Sequence, residues 1–269
     1  MKRKLSNFIL VLILLVGLSL LLYPTVSDWW NSMHQSRAIA SYAEVMEKVD
    51  TAAYESARAS ARIYNRSIPN EISRFQMTDD QRKLYNQELN LAGDGIMGII
   101  HIPDLGVEMP IYHGTSEAVL QVAIGHIEGS SLPVGGEGTH SALSGHRGLP
   151  SARLFTDLDK LQIGDVFLLY VLDETLTYQV DQIHIVNPWE LDDLAIVEGE
   201  DYCTLVTCTP YGINTHRLLV RGTRIETVKE KAPVRVTADA VRIDPVLVAP
   251  LMAAPILLMI VVLYDPKKK

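Results

Sequence analysis

Cysteine is nearly absent from this 269-residue chain, which holds only Cys203 and Cys208. In an extended strand, residues five apart point to opposite faces and lie roughly 16 Å from each other. A disulfide needs Cα atoms within about 7 Å, so the pair is not read as a bridge. No CxxC spacing occurs, which removes a zinc framework. Positive charge is not in excess either: the formal net charge is −8, and a general nucleic-acid-binding role has no electrostatic support. His101, His113, His126 and His140 show no helical i, i+4 pairing, and no acidic cluster has calcium-loop spacing. No metal or other cofactor is therefore expected. Internal repeats and low-complexity tracts are also missing.

What the chain does have is two long apolar runs, one at each end. Phe8 to Tyr23 reads FILVLILLVGLSLLLY and follows Lys2, Arg3 and Lys4. The segment after it, YPTVSDWWN, offers no A-x-A-like cleavage site, so the run is read as a retained signal anchor with Trp29 and Trp30 as an interfacial belt. Pro245 to Tyr264 reads PVLVAPLMAAPILLMIVVLY and precedes Lys267, Lys268 and Lys269. Pro250 and Pro255 are tolerated in a membrane helix, and the run has no polar face. Basic clusters at both extremities place both termini in the cytoplasm and the chain between them on the other side of the membrane.

Between the anchors the texture changes once. Asn31 to roughly Ile63 is rich in Ala, Glu, Arg and Ser, a helical composition for one or two membrane-proximal helices. Asn65 to Phe75, with Pro69, reads as a loop. Thr78 followed by Gln81 fits a capping box opening a short helix through Leu89. From Gly95 onward, short β-branched and alternating runs alternate with turn residues: GIMGIIHIP, VEMPIYHG, THSALSGH, DVFLLYVL, TLTYQV, DQIHIVNP, CTLVTC and HRLLVRGTRI. About eight short strands at this spacing predict a barrel or a sandwich. Helical patches are expected near Ser116 to Gly125 and Ser151 to Leu158.

Thr204, Val206 and Cys208 share one face of a strand. Thr209 to His216 contains Pro210, Gly212 and Asn214, which is turn chemistry. His216 to Val220 reads as the returning strand, so a hairpin sets Cys208 beside Arg217. A guanidinium there favours thiolate over thiol or donates to an oxyanion. Arg221 shares that face but lies further from the cysteine's end. Of the eight histidines, His146 is the best candidate base, because SGHRG ends a strand in a glycine-flanked turn that permits close approach. Cys203 and His216 face away from their neighbours and read as packing or surface residues. Thr207 is a candidate to orient this loop or to contact substrate, and Trp189, a lone aromatic in a connection, to line a groove.

TLVTCTPYGINTHRLLVRG, from Thr204 to Gly222, strongly resembles the signature segment of sortases, and its Thr-Pro-Tyr and Asn-x-His-Arg-Leu-Leu-Val runs resemble the class C, pilin-polymerising branch. SGHRGLPSARLFTDLDKLQIGD, from Ser144 to Asp165, resembles the same branch's histidine segment. The resemblance implies a mainly β fold: a sortase-like eight-stranded β-barrel with short helices, a helical N-terminal segment and a transmembrane helix at each end. It implies Cys208 as nucleophile, His146 as acid/base and Arg217 as stabiliser. The reaction it implies is cleavage of an LPXTG-like sorting signal between Thr and Gly through a thioester, resolved by a lysine amine of another pilin subunit. The expected setting is the membrane of a Gram-positive-type bacterium, with the catalytic domain extracellular. The segments are then residues 1–27 as tip and anchor, 28–94 as helical base, 95–225 as catalytic barrel, 226–244 as linker and 245–269 as second span and basic tail.

The chain departs from that branch in one respect. Many class C enzymes carry a lid with an Asp-Pro-aromatic motif, and no such tripeptide occurs between Asn31 and Gly95. The loop from Asn65 to Phe75 stands where a lid would, with Ile68 and Phe75 as candidate plugs. Two alternatives keep the trio and change the acceptor: anchoring of surface proteins to a cell-wall precursor, or hydrolysis by a membrane-tethered cysteine protease.

Overall fold

A computed structural model describes residues 2–149 and 152–227; the second apolar run at 245–264 with its basic tail, and the linker from position 228, lie outside these. The first helix, α1 (Lys2–Lys48), carries Pro24 inside it. The sequence suggested an anchor ending near residue 27 and one or two helices from Asn31. Proline removes one backbone donor, but no glycine or second proline stands between Thr25 and Lys48, and the helix continues. Among the described residues, α1 is the one helix long and apolar enough to cross a membrane by length and composition. The stretch through Trp30 separates from a compact unit that begins at Asn31.

That unit is a closed barrel with a helical base. Its strands are β1 (Ile96–Ile102), β2 (Val107–His113), β3 (Ile124–His126), β4 (Thr139–Ser144), β5 (Val166–Val171), β6 (Glu174–Val186), β7 (Asp201–Thr209) and β8 (His216–Ile225). They close in the order β1-β2-β3-β4-β7-β8-β6-β5. β2–β3 and β4–β7 pair in parallel, and the other pairs are antiparallel. Met97, Leu143, Phe155, Phe167, Leu205 and Val220 belong to the buried interior cluster, each side chain contributing about 2 kcal/mol by its removal from water.

β1 is buried on both faces because the C-terminal part of α1 covers the outer one: Tyr42 and Met46 pack on Ile96 and Ile99. The Tyr42 hydroxyl donates to Met97 O at 3.3 Å. Asp50 caps α2 (Thr51–Ser67) by accepting from Ala53 N at 2.7 Å. Near the end of α2, buried Asn65 grips Leu132 by both backbone groups, at 3.0 and 2.7 Å. The expected capping box is present, with Thr78 and Gln81 exchanging bonds at the start of α3 (Asp79–Tyr85). A one-turn helix, α4 (Glu117–Leu120), precedes β3.

Three local expectations needed correction. TLTYQV and DQIHIV form one strand, β6, because Asp181 sits at a register shift between Val180 and Gln182 and its carboxylate is held by Arg221 at 2.9 and 3.0 Å. A charge that looked like a turn signal is thus neutralised within a bulge. β3 was missed: it is only Ile124-Gly125-His126, and a Cβ at Gly125 would lie 2.3 Å from Gly114 O. The stretch expected to be helical before Leu158 is instead turns, with Leu154 at φ +38° and a 3-10 turn over Leu158–Lys160.

Candidate active site

Cys208 and Arg217 are direct register partners across the β7–β8 hairpin. Interior positions on these strands are Cys203, Leu205, Leu218 and Val220, so the alternate residues Thr204, Val206 and Cys208, with Arg217, Leu219 and Arg221, face outward. The joining turn closes with Ile213 N and Asn214 N donating to Pro210 O at 3.1 and 3.0 Å. Asn214 is left-handed there, at φ +61°. Cys208 is free and half-buried, while Cys203 is free and fully buried. Burial pushes the Cys203 thiol well above its usual range, which leaves Cys208 as the accessible sulfur.

His146 arrives from the other side of β7. The parallel register pairs Ser144 with Val206; two residues on stand His146, just past the end of β4, and Cys208 on β7. Both neighbours of His146 are tied to β7. Gly145 N donates to Val206 O at 3.1 Å, and the buried Thr207 hydroxyl donates to Gly145 O at 2.7 Å. On the other flank, Arg147 donates to Thr209 Oγ1 at 3.3 Å and to Asp159 Oδ2 at 2.5 Å. The glycines noticed in the sequence now have a cause. A Cβ on Gly145 would lie 2.7 Å from Phe155 and Ile124 side chains, and one on Gly148 (φ +75°) would press the Tyr211 ring at 3.1 Å.

The imidazole Nε2 lies 3.8 Å from Glu117 Oε2. The Arg217 guanidinium donates to the turn carbonyls of His216 and Asn214 at 3.1 and 3.4 Å. Arg221 is engaged elsewhere: it clasps Asp181 and lies 4.2 Å over the Tyr202 ring. His216 Nδ1 meets Thr215 Oγ1 at 2.9 Å. Two other histidines are internal struts. His126 bonds Tyr85, Ser130 and Ser131, and His140 bonds Thr204 and Ala195. Burial pulls both down to about 4, so they stay neutral near pH 7.

Thr207, a candidate to orient the histidine loop or to contact substrate, has a buried side chain whose hydroxyl donates to Gly145 O. Trp189 is 75% exposed and follows Val186, the β6 partner of Arg217. Ile68 caps α2, its N–H donating to Asn65 O. Phe75 is half-buried beneath the Arg74 guanidinium, 4.7 Å from its ring centre. Sequence reasoning did not find Arg147, Glu117, Asn70 or Arg74. Arg147 stands next to the candidate base, yet nothing in its spacing announces a link to Thr209. Among the described residues no group of three or more His, Cys, Asp or Glu side chains is placed to hold a metal ion.

A half-buried thiol flanked by a guanidinium on one strand and an imidazole-bearing turn on the other is the layout of a cysteine acyl-transfer centre built on a closed β-barrel. Residues 100–225 match the sortase domain family. The chain is similar to the crystal structure of sortase C1 from Streptococcus agalactiae, at 54% identity and TM-score 0.68, covering 71% of this chain and 100% of that one. Sortase C of Streptococcus pneumoniae is 42% identical with TM-score 0.62, covering 71% and 97%. A sortase A of Bacillus anthracis is 24% identical over 232 residues, 86% of this chain and 99% of the relative. The chain belongs to the sortase family, in its class C branch, and is a sortase-type transpeptidase.

Proposed function

We propose that this transpeptidase polymerises pilins, with Cys208 as nucleophile, His146 as general acid/base and Arg217 as stabiliser of the oxyanion or bound substrate. The Cys208 thiolate attacks the threonine carbonyl of an LPXTG-like signal. The negative charge that develops on the carbonyl oxygen is met by the Arg217 guanidinium. As the C–N bond breaks, His146 gives its proton to the departing glycine amine, leaving a Cys208 thioester. A lysine amine of another pilin subunit then attacks the thioester carbonyl and loses its proton to His146. The products are an isopeptide bond and the Cys208 thiolate, with His146 protonated again as at the start.

The observation that carries this reading is the paired placement around one sulfur: Arg217 in direct register with Cys208, and His146 two residues past the Ser144–Val206 pair. The pilin acceptor is supported by the higher identity to class C structures than to the sortase A relative; the S. pneumoniae enzyme's structure was described in terms of pilin substrate specificity. The apolar α1 supports a membrane anchor. A second span at 245–264, both termini cytoplasmic and the barrel outside, complete the proposal.

Intact-protein mass spectrometry of the full chain with an LPXTG-type peptide tests it. A thioester adduct, absent in Cys208→Ala and converted to an isopeptide product by lysine-bearing pilin, is the expected result. An adduct resolved only by water, or only by a wall-type amine, would keep the centre and replace the pilin acceptor.

A further inference from the structure

The connection from β6 to β7, residues 187–200, holds one 3-10 turn over Asp192–Leu194 and is bonded to residues of both β6 and β4. A segment with so little structure of its own must be held by what surrounds it. From the barrel side, Asp193 accepts from Gln182 at 3.2 Å and meets His184 at 2.9 Å. Three successive carbonyls are then each gripped by a different side chain. Leu194 O accepts from the Arg74 guanidinium, Ala195 O from His140 Nδ1 at 2.8 Å, and Ile196 O from Asn70 Nδ2 at 2.8 Å. Asn70 Oδ1 also accepts from Ile196 N at 3.1 Å, so its amide completes both backbone groups of Ile196 as a neighbouring strand would.

Two of these three grips come from the strap after α2. The strap itself is seated: a Cβ on Gly129 would lie 2.3 Å from Arg74 O. Arg74 is buried, and its guanidinium finds Asn70 Oδ1, Leu194 O and the face of Phe75, none of them a carboxylate. Its Nε is buried without a hydrogen-bond partner. Burying a cation on neutral partners alone is costly, and here the buried guanidinium holds the backbone carbonyl of Leu194. Between strap and connection lies a cavity of about 170 Å³ whose lining includes Asn70, Glu71, Arg74, Phe75, Asp192 and Ala195, so the hydrogen bonds, more than close packing, fix the spacing. The inner end of this assembly reaches the site's own strand. His140 Nε2 meets Thr204 Oγ1 at 2.7 Å, and Thr204 is outward-facing on β7 with Val206 and Cys208 beyond it.

We propose that Asn70 and Arg74 are positioning residues for the acyl donor: they press Leu194–Ile196 against the outer face of β4 and β7 and so set the course of the connection, which starts beside Val186, the register partner of Arg217. The strap is then a buttress for the connection and not a cover over the thiol. This rests on the sorting-peptide reading above and assigns a determinant of that same site.

The test uses the full chain in detergent micelles and the variants Asn70→Ala, Arg74→Met and Arg74→Lys. Three quantities are followed: alkylation of Cys208 by iodoacetamide, KM and kcat with an LPXTG-type peptide, and hydrogen exchange of the 194–196 amides. Asn70→Ala and Arg74→Met are expected to raise KM roughly tenfold with kcat within about twofold, to speed exchange at Ile196, and to leave alkylation unchanged. Arg74→Lys, which keeps a donor for Leu194 O, recovers part of the KM. Faster alkylation and faster acylation in the variants would make the strap a cover and overturn the proposal, as would unchanged KM together with unchanged exchange. Should Arg74→Met fail to fold, Asn70→Ala, on an exposed side chain, decides alone. If the wild-type chain forms no Cys208 adduct with any such peptide, the acyl-donor reading fails first; exchange at 194–196 then decides whether the clamp exists.

Discussion

Cys208 has two flanks, and they are built differently. The arginine flank is a hairpin: β7 and β8 are joined by a short turn, and Cys208 and Arg217 meet because their register is set by adjacent chain. The histidine flank joins β4 to β7 in parallel across the 62 residues that separate His146 from Cys208, and it needs Gly145, Thr207, Arg147 and Asp159 to hold the turn in place. A local contact is closed cheaply by its own turn, whereas a distant one is fixed by side chains that tie the two segments together. The histidine flank also contains the buried His126 and His140, on β3 and β4, while the hairpin flank has its paired charges on the barrel surface.

That contrast is open to attack, beginning with the largest effect. His146→Ala should lower acyl transfer about 10³-fold, read as the single-turnover rate of adduct formation. Loss of only a few-fold would move the acid/base role elsewhere. Acid should weaken the histidine flank next. His126 and His140 titrate near 4 in the fold and near 6.5 when unfolded. The unfolded chain therefore binds more protons between these values, so stability falls as pH drops from about 6.5 to 4, by up to about 3 kcal/mol per histidine. Denaturant melts across that window, compared with His140→Gln, check the sign and the size.

Arg217→Ala should cost about 10²-fold in kcat with folding intact, and Arg217→Lys should recover only part of this, because an ammonium lacks the fork of donors. Arg147→Met should be milder, about tenfold in kcat with KM unchanged, since it loosens His146 without touching substrate. An Arg147→Met enzyme with normal kcat would mean that the Thr207–Gly145 bond suffices. The same loss in Arg217→Ala and Arg147→Met would erase the difference between the flanks.

Much of the barrel could be read directly. The alternating runs marked strands, the Thr78–Gln81 pair marked a helix start, and the hairpin followed from turn residues between Cys208 and Arg217. The count of eight strands was correct for partly wrong reasons: β6 was split at Asp181, and β3 was overlooked. Asp181 misled because its neutralising partner, Arg221, lies 40 residues away in sequence. β3 left no trace because three residues with a central glycine have no period to detect. Arg74 and Asn70 were invisible for the same reason as Arg221: their partners, Leu194 and Ile196, are backbone groups on a remote loop, and any sequence there would offer the same carbonyls.

The sequence by itself determined the apolar helix, the β-rich domain and the adjacency of thiol and guanidinium, since these depend on residue type and on neighbours within a few positions. Only the tertiary structure decided where His146 sits, which charges are neutralised, and what holds the β6–β7 connection. Those outcomes depend on parallel pairing and on side chains meeting across tens of residues, and chain order carries no distance of that kind.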